Sequence, residues 1–191
     1  MTRIVEIEIE PEFAHELATG RGDEDTRTEV VLVLPRPGGK VLLISKQFYP
    51  PGTFRMPSGG VKPGESPEDA FRREVHEETG LDSEPVATIE TMTLRCRSGA
   101  DFVDITSHVI LGSPTSSSPS SNDPHEQISG YREIEPARLH DIAEQLSNLP
   151  GRWRGWGLFR APAHETAADY LASDPQHPTP NTQHPAARGT T

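Results

Sequence analysis

Three glutamates, Glu74, Glu77 and Glu78, stand at positions i, i+3 and i+4 of the segment Gly59 to Leu81, GGVKPGESPEDAFRREVHEETGL. On a helix that spacing brings their side chains to one face, where like charges repel unless a cation joins them. Projected from Ala70 at about 100° per residue, the glutamates fall at about 40°, 340° and 80°, and the apolar Phe71 and Val75 at about 100° and 140°. A generic acidic run is a solvated face. Here the acids border the apolar stripe, and charges beside a core need a reason. Crowding raises carboxylate pKa values unless positive charge compensates, and hard oxygen ligands suit Mg²⁺ or Mn²⁺ rather than Zn²⁺. Magnesium held by few carboxylates is commonly presented to substrate phosphates, so phosphate chemistry follows.

The helix that must carry these acids has marked ends. Ser66 can cap it, Pro67 suits its first position, Glu68 and Asp69 favour the positive end of its dipole, and Gly80 can close it. Ahead of it, Ile4 to Glu10 alternates as a strand with one wet face, and a polar stretch follows from Gly20 to Asp25. Val30 to Leu34 and Val41 to Ile44 flank Pro35-Arg36-Pro37-Gly38-Gly39 and predict a β-hairpin. Tyr49 to Gly52 reads as a turn and Phe54 to Met56 as a short extended stretch. Beyond the helix, Val86 to Leu94 and Phe102 to Leu111 predict two strands joined around Arg97-Ser98-Gly99, and Ile128 to Ile134 another. Pro136 to Leu149 predicts a helix with Leu139, Ile142, Ala143 and Leu146 on one side, and Pro162 to Leu171 a further one. The Ser/Pro-rich run SPTSSSPSSNDP is too polar to pack and reads as mobile.

With 191 residues the chain has length for one full-sized domain, expected at 1–172 with a mobile loop at 112–125 and a disordered tail at 173–191. A net charge of −11, from 29 acids against 18 Lys and Arg, repels polyanions and argues against a nucleic-acid groove. Cys96 stands alone, which excludes an internal disulfide or a thiolate cage and suits a reducing compartment. No apolar run approaches about 18 residues and no charged region precedes an apolar one at the start, so a cytoplasmic protein without a membrane partner is expected.

The Gly59 to Leu81 segment resembles the Nudix box: a glycine, five residues, Glu, seven residues, then Arg-Glu-apolar-any-Glu-Glu-any-Gly-apolar. Gly59, Glu65, Arg73, Glu74, Val75, Glu77, Glu78, Gly80 and Leu81 fill every specified position. The resemblance implies an α/β fold of the Nudix type, an α/β/α sandwich whose mixed sheet is flanked by helices and carries a loop-helix-loop motif. It also implies that Glu74, Glu77 and Glu78 hold Mg²⁺ (or Mn²⁺), with the Gly59 carbonyl as a further ligand. By the same resemblance Arg73 steadies a glutamate from behind and Glu65 braces the loop. The implied reaction is substitution at phosphorus by a magnesium-activated water whose proton passes to a carboxylate. In such enzymes that carboxylate is a box glutamate, here Glu77 or Glu78, or an acid on a later loop, for which Glu126 is the candidate and Glu133 the second.

Substrate-contact candidates are fewer. Arg95 and Arg97 could meet phosphates, though alternating charges on a strand are more often solvated. Tyr49, Phe54 and Arg55 precede the box where a base or sugar could be gripped, with a core position the alternative for Phe54. Arg152 to Gly157, RWRGWG, could stack on a nucleobase or pack its tryptophans onto the sheet. The leading expectation is hydrolysis of a nucleoside diphosphate linked to another moiety, ADP-ribose or a related sugar nucleotide first. The alternatives are a nucleoside triphosphate or RNA 5′-end pyrophosphohydrolase, and a non-catalytic nucleotide sensor. The expected partner is a small nucleotide-diphosphate substrate, with a homodimer left open.

Overall fold

Two apolar runs decide the architecture, because each needs cover on both faces. The computed structural model describes residues 2–19, 27–121 and 123–173; the polar stretch Gly20 to Asp25 and the tail beyond Ser173 lie outside the described residues. The strand β1 is Arg3–Glu8, and a helix not expected from the sequence, α1 (Pro11–Thr19), follows it. Then come β2 (Thr28–Val33), β3 (Pro35–Arg36), β4 (Lys40–Lys46) and β5 (Ser58–Gly60). The helix α2 is Pro67–Thr79, followed by β6 (Pro85–Ser98), β7 (Asp101–Gly112), β8 (Ile128–Ile134), α3 (Leu139–Ser147) and α4 (Arg154–Ser173).

A five-stranded mixed sheet runs in the order β1-β6-β7-β2-β5, beside a three-stranded antiparallel sheet β3-β4-β8. Strand β2 pairs in parallel with β7 and antiparallel with β5. Its alternate residues serve two cores: Val30, Leu32 and Leu34 pack with Phe71 and Val75 of α2, and Val31 and Val33 lie in the core shared with α3 and α4. A strand covered on both faces reads as a continuous apolar run. The sandwich implied by the family resemblance is therefore present, with α2 on one face and α3 with α4 on the other.

The expected hairpin is narrower than its apolar runs. Only Pro35–Arg36 pairs with Lys40–Val41, while the preceding run leaves for the five-stranded sheet. Its partner β7 lies far along the chain, a pairing no local pattern announces. The last helix also departs from expectation: it begins at Arg154 and carries Pro162 inside. A proline there forgoes the bond to the Leu158 carbonyl. Burial of Trp156, Phe159, Ala163, Ala167 and Leu171 in the core outweighs that loss. Helix α1 presents Phe13, Ala14 and Leu17 to the same core but is only half-buried, so its pattern is faint.

His164 ties α4 to the loop before β5. The Met56 N–H donates to its Nε2 at 2.9 Å, so its Nδ1, 2.9 Å from the Arg160 carbonyl, carries the proton. Burial pushes its pKa from 6.5 down to about 4. The unfolded chain takes up this proton below pH 6.5 and the folded chain does not until about pH 4, so stability is lost as pH falls between them. The expected loss is about 3 kcal/mol. Urea titrations from pH 7.5 to 4.5 should show this slope, and His164→Asn should flatten it; equal slopes in the two proteins would remove the assignment.

Candidate metal centre and active-site cleft

Helix α2 starts and stops as its sequence predicts. The Ser66 side chain accepts from the Asp69 N–H at 3.1 Å, and Gly80 takes the left-handed conformation (φ 63°) that only a residue without a β-carbon adopts cheaply. Ala70, Phe71 and Val75 are buried against the sheet, which fixes the rotation of the helix and leaves the glutamates along its edge. One carboxylate oxygen from each of Glu74, Glu77 and Glu126 lies within 4.8 Å of the others. Two of these acids come from the helix and the third from a loop some fifty residues later.

Glu74 is buried against the chain itself. A β-carbon built on Gly59 would lie 1.9 Å from the Glu74 carboxyl carbon, so any larger residue there would displace that carboxylate. Burial pushes the Glu74 pKa up to about 7, with Glu78 and Glu77 adding to the rise and Arg73 opposing it. A crowded group of this kind gains most from a bound cation. Arg73 braces it from the side: its guanidinium donates to Glu74 (2.6 Å), Glu77 (3.0 Å), Glu65 (2.8 and 2.9 Å) and the Gly60 carbonyl (2.8 Å). Glu65 accepts a further bond from the Lys62 N–H, and the Arg73 contact holds its carboxyl below the usual range.

Glu78 stands apart from this group. It is 0% exposed, and its Oε1 lies 2.8 Å from Lys46 Nζ and 3.2 Å from Arg55, while the Ser58 N–H donates to Oε2 at 2.9 Å. Burial alone would raise its pKa; Arg55 and Lys46 hold it below the ordinary carboxylate value. Of the acids expected from the sequence, Glu74 and Glu77 thus converge with Glu126, and Glu78 is engaged by Lys46 and Arg55. Arg55, expected near substrate, is itself buried, donating to the Tyr49 hydroxyl, the Met56 carbonyl, Ser58 and Glu78. Lys46 has no local signature in the sequence. It sits where the register between β4 and β8 shifts, and such a bulge re-aims a side chain.

The Ser/Pro-rich run reaches the site through its polar groups. The Ser120 N–H donates to the Thr79 carbonyl (2.7 Å), the Ser121 hydroxyl to the Glu77 carbonyl (2.8 Å), and Arg36 to the carbonyls of Thr115 and Ser117. The polarity read as preventing packing is what ties this loop to the end of α2. A turn at Pro124–Glu126, capped by Asp123, and a left-handed Gln127 (φ 52°) then place Glu126 2.5 Å from Lys46.

Glu74, Glu77, Glu126, Lys46 and Arg73 line one cleft of about 1040 Å³, together with Lys62 and Asp123 and with a group of aromatic residues joined by Arg152. Phe48 and Trp153 lie nearly parallel, with centroids 6.4 Å apart, and Tyr49 stands perpendicular to both. Trp156 is buried against Tyr49, yet both tryptophans contribute to the lining of the cleft. Arg95 and Arg97 do not reach the cleft; they pair with Asp104 and Glu6 and cover Phe102. Glu133 of β8 pairs with Arg36 of β3, and Phe54 packs beneath Arg132. Glu29 and Arg160 also line the cleft, paired at 2.6 Å. Neither carries a local signature, because a strand residue and a helix residue meet only in three dimensions. Among the described residues, no helix is long and apolar enough to cross a membrane.

Comparison with known proteins matches residues 25–153 to the family model of the NUDIX domain. A protein described as an uncharacterised Nudix hydrolase of Schizosaccharomyces pombe is 32% identical over 125 residues, 63% of this chain and 59% of that protein. The RNA pyrophosphohydrolase of Photorhabdus laumondii is 41% identical over 59 residues, 31% of this chain and 32% of that one. This chain therefore spans less than two thirds of either relative. The crystal structure of the MutT protein from Methanosarcina mazei shares the fold, with a TM-score of 0.51 and 17% identity over 77% of this chain and 95% of that one.

Proposed function

The chain belongs to the NUDIX family, and from that premise we propose that it is a divalent-metal-dependent pyrophosphohydrolase acting on a nucleoside diphosphate linked to another moiety. The observation that carries this reading is the convergence of Glu74, Glu77 and Glu126 within 4.8 Å in the wall of a deep cleft. All three are hard oxygen donors, and the raised pKa of Glu74 marks a place where positive charge is wanted. The residues present therefore fit magnesium or manganese.

Held by these acids, the ion would supply charge neutralisation at the diphosphate and activation of the attacking water. The chain's own residues do the positioning. Arg73 fixes Glu74 and Glu77, and Lys46 fixes Glu126 against the buried Glu78. Glu126, whose Oε2 is engaged by Lys46, takes the proton of the attacking water on its other oxygen, while Glu74 and Glu77 hold the ion. The parallel Phe48 and Trp153 receive a flat base, and Arg152, over the Trp153 ring at 5.4 Å, adds positive charge beside it.

ADP-ribose and related sugar nucleotides are the first substrates to test. Action on RNA 5′ ends or triphosphates is the second reading, favoured by the match to the Photorhabdus protein and opposed by the net charge of −11. A panel of nucleotide diphosphate esters, triphosphates and a 5′-triphosphorylated RNA, run with Mg²⁺ and Mn²⁺ and with both products identified, separates them. The proposal expects the highest kcat/KM on a diphosphate ester, with nucleoside monophosphate as one product. No metal-dependent release from any member would leave the sensor reading in its place.

A further inference from the structure

The last four carbonyls of an α-helix have no partner within it, and in α2 each is met by a donor from outside. The Gly80 N–H reaches the carbonyl of His76 (2.9 Å), the Ser121 hydroxyl that of Glu77 (2.8 Å), the Tyr131 hydroxyl that of Glu78 (2.8 Å) and the Ser120 N–H that of Thr79 (2.7 Å). Ser121 differs from the others in what else it touches. Its hydroxyl also donates to the Asp123 carbonyl, at 3.1 Å, so one proton is shared between two carbonyl oxygens. The Asp123 carbonyl in turn accepts the Glu126 N–H at 3.2 Å, and the Asp123 side chain accepts the His125 N–H at 2.8 Å. A short chain of hydrogen bonds therefore runs from the backbone of Glu77 through Ser121 and Asp123 to the backbone of Glu126.

The two ends of this chain carry acids that meet, since side-chain oxygens of Glu77 and Glu126 lie within 4.8 Å of each other. Lys46 holds the tip of Glu126, at Oε2. An ammonium on a flexible four-carbon stem fixes a point rather than a direction. The backbone from which Glu126 springs is set by the turn, and Ser121 ties that turn to α2. Ser121 is half-buried and its bond to each carbonyl is neutral, so losing the hydroxyl costs the fold little. It costs the reaction more, because a displacement of about 1 Å at a reacting group can lower the rate about a hundredfold.

We propose that Ser121 is a positioning residue of this site: by bridging the Glu77 and Asp123 carbonyls, its hydroxyl holds the turn that bears the base Glu126 in place against the helix that bears Glu74 and Glu77. This rests on the proposed function for the task of Glu126, and it concerns a side chain outside the box.

Turnover of ADP-ribose with Mg²⁺, or of the panel member that the parent prefers, tests the role in the full chain. Ser121→Ala should lower kcat about tenfold to a hundredfold and leave KM within about threefold of the parent's. Ser121→Thr, which keeps the hydroxyl, should restore most of the rate. In a Glu126→Gln background the alanine substitution should cost nothing further, because residues that act through one group are not additive; a general structural role would cost the same factor again. Mn²⁺ affinity by paramagnetic resonance and melting temperature should stay near the parent's, while the Glu126 amide exchanges its hydrogen faster. Equal kcat in the alanine variant and an active parent, an equal loss in the Glu126→Gln background, no restoration by threonine, or weakened Mn²⁺ binding overturns the role of Ser121. A parent that binds Mn²⁺ but turns over no member of the panel removes the proposed function instead, and unchanged amide exchange at Glu126 would then overturn the bridge itself.

Discussion

Glu74→Gln should lower metal-dependent turnover by about a hundredfold or more while leaving the melting temperature at pH 8 unchanged or higher. Removing one oxygen ligand of a cation that stabilises developing charge by several kcal/mol costs turnover on this scale. The fold has little to lose. Burial and the neighbouring Glu78 push the Glu74 pKa up to about 7, so the ionised form is the strained one. The folded chain holds this proton more tightly than the unfolded chain, so the residue's contribution worsens as pH rises from the ordinary carboxylate value through 7. An amide removes that slope and can still accept from Arg73, which reaches Glu74 Oε1 at 2.6 Å. Turnover with Mg²⁺ and melting curves from pH 5 to 8 check both halves. Retention of more than about a tenth of the activity would remove Glu74 from the metal centre.

Glu78→Gln, four residues along the same helix, should do the reverse to stability. Its carboxylate is the shared counter-charge of Lys46 and Arg55, all three being buried. Taking one partner from a buried ionic set leaves uncompensated charge and costs about 3 to 5 kcal/mol. For a chain of this size that is roughly 10 °C of melting temperature. From the sequence alone, with the acids equivalent on one helix face, this variant is expected to lose activity and keep its fold. The buried ion pairs change that expectation. Activity should fall as well, because Lys46 also holds Glu126. A melting temperature within about 2 °C of the parent would show that Lys46 and Arg55 find other partners.

The contrast between these variants shows where one-dimensional reasoning stops. Glu74 and Glu78 look alike at i and i+4, and the helix projection puts both beside the apolar stripe. What separates them is the other side of the site: the Gly59 backbone against Glu74, and Lys46, Arg55 and the Ser58 N–H around Glu78. Arg55 was visible as a cation ahead of the box, but nothing local says whether it faces substrate or a buried acid. Arg95 and Arg97 had equal standing and turn out to serve Asp104 and Glu6 across neighbouring strands.

The amino-acid order by itself determined the features that depend on near neighbours. These are the capped helix Pro67–Thr79, the placing of its acids beside its apolar stripe, the strands recognisable by composition, and the motif that carries the family. Periodicity, capping and spacing act over a turn or two of chain, and the residues concerned lie next to one another. Only the tertiary structure decided which acids share a site, which cations neutralise the rest, and which residues face the cleft. The loop bearing Glu126, the bulge at Lys46 and the pairing of Glu29 with Arg160 bring together groups tens of residues apart. Their meeting is set by sheet order and by the burial of Val30 to Leu34 between two cores, and long-range contacts of that kind leave no trace in any short window of sequence.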